Sequence, residues 1–196
     1  MSSAASSAPP RELDDRVAAF SPAQRRTLDA ALGLFARHGV GGTSLQMIAH
    51  AVGVTKAAIY HQFPTKDAIV RAVIDVQVQP LVAALEAAEA AGPSAEARRV
   101  LLAEIVDTVV GNRRALSTLQ SDPVLLRLLG EHEPSRRFWA RLFSVLVGHD
   151  LDGPARVRAA VLSAAIGSVA HPYVLDLDND VVRAELLALT EPLLAD

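Results

Sequence analysis

Residues 43–67 read TSLQMIAHAVGVTKAAIYHQFPTKD, and this stretch decides the fold. Leu45, Ile48, Ala49 and Val52 recur at helical intervals and make the buried stripe of a short helix that Gly53 ends. Thr43 is its expected N-cap, with Gln46 reaching back to complete a capping box. After Val54, Thr55 caps the next helix, in which Ala58, Ile59 and Phe63 face inward and which Pro64 closes. Val54 and Ile59 stand at the two positions of a hydrophobic staple. Two short helices joined by a tight glycine-containing turn form a helix-turn-helix pattern.

Upstream, Ser21-Pro22-Ala23-Gln24 starts a longer helix: Ser21 accepts from the Gln24 amide, and Pro22 sits where no amide partner is needed. Leu28, Ala31, Leu32 and Phe35 are its stripe, and Gly39 is expected to end it, with Gly41 and Gly42 turning the chain. Downstream, a long helix begins near Thr65 and carries Ile69, Val70, Val73, Ile74, Leu81 and Leu85 inward, with Pro80 expected to bend it or end it locally. Further helices are expected at about 94–112, 113–120, 123–129, 134–148, 154–170 and 179–195, separated by glycine- and proline-containing turns. Val and Ile never alternate as a strand requires, so the fold class is all-α. The organisation expected is a flexible arm at 1–20, a three-helix helix-turn-helix domain at 21–66 and a C-terminal helical bundle at 67–196.

The helix that follows Thr55 has two unlike faces. Lys56, Ala57, Tyr60 and His61 lie at i, i+1, i+4 and i+5 and share the outer one. An amine, a small residue, a phenol and an imidazole suit a major groove and its phosphate edges, and the helix N-terminus at Thr55 adds amide donors for a phosphate.

Charge is distributed to match. The chain carries a formal net charge of −3. Yet residues 22–71 hold Arg25, Arg26, Arg37, Lys56, Lys66 and Arg71 against only Asp29 and Asp67, so one region is fit to face phosphates. With 196 residues, 51% of them hydrophobic, the chain can bury a substantial core. The absence of cysteine excludes disulfide frameworks and thiolate-held zinc and fits a reducing compartment. The N-terminus lacks the basic-then-apolar order of a secretion signal, and charged residues interrupt the apolar stretches before a membrane span is reached, so a soluble cytoplasmic protein without a membrane partner is expected.

The 43–67 stretch resembles the DNA-binding domain of TetR-family regulators: glycine after the first helix, threonine before the second, Ile-Ala within it, Gly-Val-Thr in the turn, then Tyr-His-x-Phe-Pro-x-Lys. The likeness covers roughly residues 22–74. It implies a double-stranded DNA operator as partner. Thr43, Ser44, Gln46, Tyr60, His61 and Lys66 would clamp the backbone, and Thr55, Lys56 and Ala57 would lie nearest the bases. Ala57 and Ala58 stand where many relatives carry larger side chains, which leaves more of the specificity to Lys56 and Tyr60.

The resemblance also implies a homodimer whose last two helices pair with their twins, and an effector held in a helix-lined cavity. The sequence supplies Ala160, Ser163, Ala164, Gly167 and Ser168 as a small-residue surface, and Val182, Leu186, Leu189 and Leu193 as a stripe on the last helix. Phe138, Trp139, Phe143, His171 and Tyr173 are the candidate pocket residues for an apolar or amphipathic small molecule, with core packing as the alternative for Trp139 and Phe143 at their helical spacing. Arg113, Arg114 and Arg127 could meet an anionic group. No phosphate loop, nucleophile elbow or spaced carboxylate pair points to an enzyme. Glu131-His132-Glu133 is the nearest approach to a metal motif, but adjacent turn residues seldom close a coordination sphere. No metal or cofactor is implied. The resulting expectation is a transcriptional repressor released by its effector. The alternatives are a regulator governed by a protein partner and a helical small-molecule-binding protein without specific DNA binding.

Overall fold

The computed structural model describes residues 11–119, 122–148 and 153–194. Among them the elements are eleven α-helices and three short 3-10 turns, with no strand. The head comprises α1 (Arg11–Ala18), α2 (Pro22–Gly42), α3 (Leu45–Val52) and α4 (Lys56–Gln62). The body comprises α5 (Lys66–Ala90), α6 (Ala95–Gly111), α7 (Arg113–Leu119), α8 (Pro123–Glu131), α9 (Glu133–Val147), α10 (Gly153–Gly167) and α11 (Asn179–Thr190).

Local chemistry sets most helix starts. Ser21 and Gln24 form the reciprocal capping box: the Gln24 amide donates to Ser21 Oγ at 3.2 Å and the Ser21 amide to Gln24 Oε1 at 3.0 Å. Thr55, Thr65 and Ser94 cap α4, α5 and α6 by the one-way bond, each side-chain oxygen accepting from the amide three residues on. The head closes on Leu28, Ala31, Phe35, Ile48, Ala49, Ile59 and Phe63, all buried. Gln62 fastens α4 to α2 by accepting from Thr27 Oγ1 at 2.9 Å.

The body core lies where α5, α6 and α9 meet, around Leu85, Leu101, Leu102, Ile105, Leu142 and Leu146. Helix α5 belongs to both halves: its first turns bury Ile69, Val70 and Val73 while its later turns bury Leu81, Val82 and Leu85. Truncating such a residue to alanine costs about 2–5 kcal/mol.

Several expectations are corrected. The flexible arm set at 1–20 gives way from Arg11 onward to a helix packed along α5, anchored by buried Val17 and by an ion pair of 3.0 Å between Arg16 and the fully buried Asp75; residues 1–10 lie outside the described residues. Gly39 interrupts α2 with the non-helical backbone expected there, φ +70° and ψ 165°, and the difference is that one further helical turn follows it to Gly42. Pro80 does not end α5, which is continuous from Lys66 to Ala90. This helix is also long and apolar enough to cross a membrane by length and composition, contrary to the expectation that no stretch reaches that length, because it is a core helix with apolar residues on several sides, more than half of them buried. The last helix stops at Thr190, since Pro192 cannot continue it and a 3-10 turn follows.

Candidate nucleic-acid interface

Because Ile59 and Phe63 are drawn into the head core, α4 must present its opposite side to solvent. Lys56, Ala57, Tyr60 and His61 are all exposed there, as is Thr55 at the cap. Tyr60 is 48% exposed, and Lys56 Nζ lies 5.7 Å from its ring centroid, so the cation leans over the phenol and the two are held as a pair. Val54, the outer partner of the expected staple, remains 38% exposed.

The tip of α4 and the start of α3 enclose an open hollow of about 370 Å³. Ser44, Gln46, Lys56, Tyr60 and Lys66 line it together with the backbone of Gly41 and Gly42. With Thr43, which also borders the hollow, six positions expected from sequence to meet DNA are gathered at one concave edge, although they belong to three separate helix starts.

Two of these, Thr43 and Lys66, play different parts from those expected. Thr43 is 1% exposed, and its hydroxyl donates to the Gly39 carbonyl at 2.8 Å, so it ends α2 and is not free to clamp a backbone. The N-cap of α3 is its neighbour Ser44, which accepts from the Met47 amide at 3.2 Å. The N-cap is therefore one residue later than expected and the expected box with Gln46 does not form, because the chain between Gly39 and Thr43 makes a further helical turn and Met47 now stands at the third helical position. Lys66, expected at a phosphate, donates to the carbonyls of Val40 at 2.9 Å and Thr43 at 3.1 Å. It neutralises the carbonyl end of α2, and one of its three ammonium hydrogens is left for the hollow.

In the body, the five candidate pocket residues fall into two sets. Phe138 is buried, with its ring edge-on to Trp139 at 5.2 Å, and Trp139 stacks on Phe143 at 6.3 Å. His171 and Tyr173 pair with each other at 4.8 Å on an exposed 3-10 turn, where Tyr173 is 86% exposed. A pocket wall shared by all five is corrected accordingly: the break after α10 carries the second pair to the surface. Arg113 is buried, donating to the carbonyls of Val174 and Leu177, while Arg114 and Arg127 are exposed and Arg127 pairs with Asp67 and Glu131.

The residues of Glu131-His132-Glu133 diverge. Glu131 pairs with Arg127 and Glu133 with Arg136, while His132 is buried with Nδ1 2.8 Å from Ser135 Oγ and Nε2 3.5 Å from Asp75 Oδ1. Burial, then the charges of Arg16 and Arg71, push the His132 pKa down to about 4.

On the last two helices and the turn after α10, Ala160, Ser163, Ala164 and Ser168 are exposed and Gly167 is half-buried. On α11 the expected stripe splits. Leu189 is 69% exposed, Leu193 half-buried, and Val182 and Leu186 are buried, on a helix that packs against α6 and α10. The outward apolar residues that the sequence reading missed are Val157, Val161 and Val181. Val157, Val161 and Ala164 stand at i, i+4 and i+7, a spacing that could have found them.

These features define a helix-turn-helix head carried on a helical body. The sequence pattern described as "Bacterial regulatory proteins, tetR family" matches residues 28–73. The HTH-type transcriptional regulator RutR of Escherichia coli (strain K12) is 36% identical over 72 residues, which are 35% of this chain and 34% of RutR. The chain thus matches about a third of the length of that curated relative. A TetR-like transcriptional regulator from Rhodococcus sp. RHA1 superposes with a TM-score of 0.64 at 23% identity, over 86% of this chain and 93% of the other. NalD, the secondary repressor of the MexAB-OprM multidrug efflux pump in Pseudomonas aeruginosa, does so at 0.64 and 22% identity, over 88% and 96%. The head thus carries the tetR-family sequence pattern over residues 28–73, and the fold is that of TetR-like regulators.

Proposed function

We propose that this protein is a dimeric, cytoplasmic, sequence-specific DNA-binding transcriptional regulator without enzymatic activity, and that it represses from a palindromic operator until a small apolar or amphipathic effector releases it. The observation that carries the reading is the exposed edge of the head, where Ser44, Gln46, Lys56, Tyr60 and Lys66 converge on one hollow while the apolar side of α4 is fully engaged in the core. In this reading α4 enters the major groove. Thr55, Lys56 and Ala57 lie nearest the bases, and Ser44, Gln46, Tyr60 and His61 hold phosphates, while Lys66 braces the corner behind them through the Val40 and Thr43 carbonyls.

Dimerisation is assigned to the outward face of α10 and α11, comprising Val157, Ala160, Val161, Ala164, Val181 and Leu189, where small residues allow close helix approach. The effector is assigned to the Phe138–Trp139–Phe143 ring cluster on α9. Release is then a coupling free energy: the effector binds the DNA-incompetent pose more tightly, and DNA disfavours the effector by the same factor.

Selection of duplexes from a random pool by the purified full-length protein tests the reading. Enrichment of a two-fold symmetric site is the expected result, and recovery of unenriched DNA after several rounds would overturn it.

A further inference from the structure

Helix α2 of the DNA-facing head and helix α8 of the body meet on a single carboxylate. Asp122 precedes α8, and its Oδ1 accepts from the amides of Val124 at 2.9 Å and Leu125 at 3.1 Å, an ordinary N-cap. Its other oxygen is committed elsewhere. Oδ2 accepts from the amides of Val40 at 2.6 Å and Gly41 at 3.3 Å, residues 82 and 81 positions earlier in the chain. Asp122 is 8% exposed, so these charge-assisted bonds are largely shielded from water. Burial pushes its carboxyl upward, but the amides of Leu125, Gly41, Val40 and Val124 together outweigh burial and hold it below the usual carboxylate value.

The choice of residue is informative. Helices α2 to α6 are all capped by serine or threonine, at Ser21, Ser44, Thr55, Thr65 and Ser94. A hydroxyl would cap α8 as well, but it offers one oxygen on a shorter arm. A carboxylate presents two acceptor oxygens, so one caps α8 while the other holds a second backbone.

The receiving corner is shaped for this approach. Gly39 adopts φ of +70°, and a Cβ there would lie 2.9 Å from Asp122 Oδ2, closer than real side chains tolerate. Val40 is held at both ends: its amide by Asp122, its carbonyl by Lys66, which also holds the Thr43 carbonyl. Ser44 follows immediately, caps α3 and lines the DNA-facing hollow. Movement of the α8 start therefore carries the corner, and the corner carries the edge of the hollow.

We propose that Asp122 is a positioning residue for DNA reading: its carboxylate locks body helix α8 to the corner at residues 39–43, so that the pose of the body sets the pose of the face that meets the duplex. The inference rests on the DNA-binding reading above.

The test uses the full-length protein and a duplex enriched from a random pool by the wild type. Asp122→Ser keeps a cap for α8 and withdraws the arm that reaches Val40. Its melting temperature should stay within about 3 °C of the wild type. The Val40 and Gly41 amides should exchange with solvent roughly tenfold faster. Affinity for the enriched duplex should fall about tenfold, with binding to unrelated duplex unchanged. Asp122→Asn, which retains one carbonyl oxygen on an arm of the same length, should lie between the two, and it carries the same readouts if the serine variant does not fold. Unchanged exchange at Val40 and Gly41, or wild-type affinity for the enriched duplex, would overturn the assignment. A wild-type protein that enriches no sequence would instead overturn the DNA-binding reading, and this inference with it.

Discussion

Two helical faces of this molecule remain uncovered, and their chemistry is opposite. The outer side of α4 offers an amine, a phenol and an imidazole beside a concave edge lined by serine and glutamine. The outer side of α10 and α11 offers Val157, Val161, Val181 and Leu189 among alanines. Both are exposed because the helix turns its other side inward, but water is a good solvent for the first face and a poor one for the second. A polar exposed face is matched by a charged partner whose phosphates replace water, and an apolar one by a surface like itself. In the proposed function the first face reads DNA and the second self-associates.

The largest effect is expected where the apolar face is given a charge. Leu189→Arg places a guanidinium on both sides of a two-fold interface, and the dimer should dissociate to monomer at micromolar concentration, a loss of about 3 kcal/mol or more. Sedimentation velocity reads this directly. A variant that stays dimeric would remove α11 from the interface.

Next in size is a pH dependence that arises between the two faces. His132 is buried and neutral, with its pKa pushed from 6.5 down to about 4 by burial and then by Arg16 and Arg71. Between these values the unfolded chain binds a proton that the folded chain does not, so stability is full above 6.5 and falls as the pH drops toward 4. The expected loss is on the order of 2 kcal/mol. Asp122, held below its usual value, adds a separate loss only at still lower pH, as the pH falls through its depressed pKa. Urea unfolding across this range checks the slope, and His132→Gln should flatten its upper part. An unchanged slope in that variant would assign the dependence to other groups.

Smaller changes sharpen the polar face. Lys56→Ala should lower the preference for the enriched duplex over unrelated DNA about tenfold, about 1.4 kcal/mol. Equal weakening on both duplexes would make Lys56 a phosphate contact. Lys66→Ala should have the smallest effect on recognition. Because its ammonium already holds two carbonyls, the expected result is a stability loss of about 1 kcal/mol with nearly unchanged salt dependence of binding. A salt slope flatter by about one would place Lys66 on a phosphate instead.

Sequence alone determined what spans a few residues. A capping hydrogen bond reaches from the cap to the third helical residue, so Ser21, Thr55, Thr65 and Asp122-Pro123 announce helix starts without reference to the rest of the chain. The inner and outer sides of α4 follow from its period in the same way. Tertiary structure decided everything that depends on distant neighbours. It buried Val182 and Leu186 while exposing Leu189, because a helical stripe does not say whether it meets its own chain or another. It made Thr43 and Lys66 parts of a corner whose other half is Asp122, and it turned His171 and Tyr173 away from the α9 rings. Hydrogen bonds and packing depend on separation in space, and folding brings Val40 and Asp122 together across 82 residues that no local pattern connects.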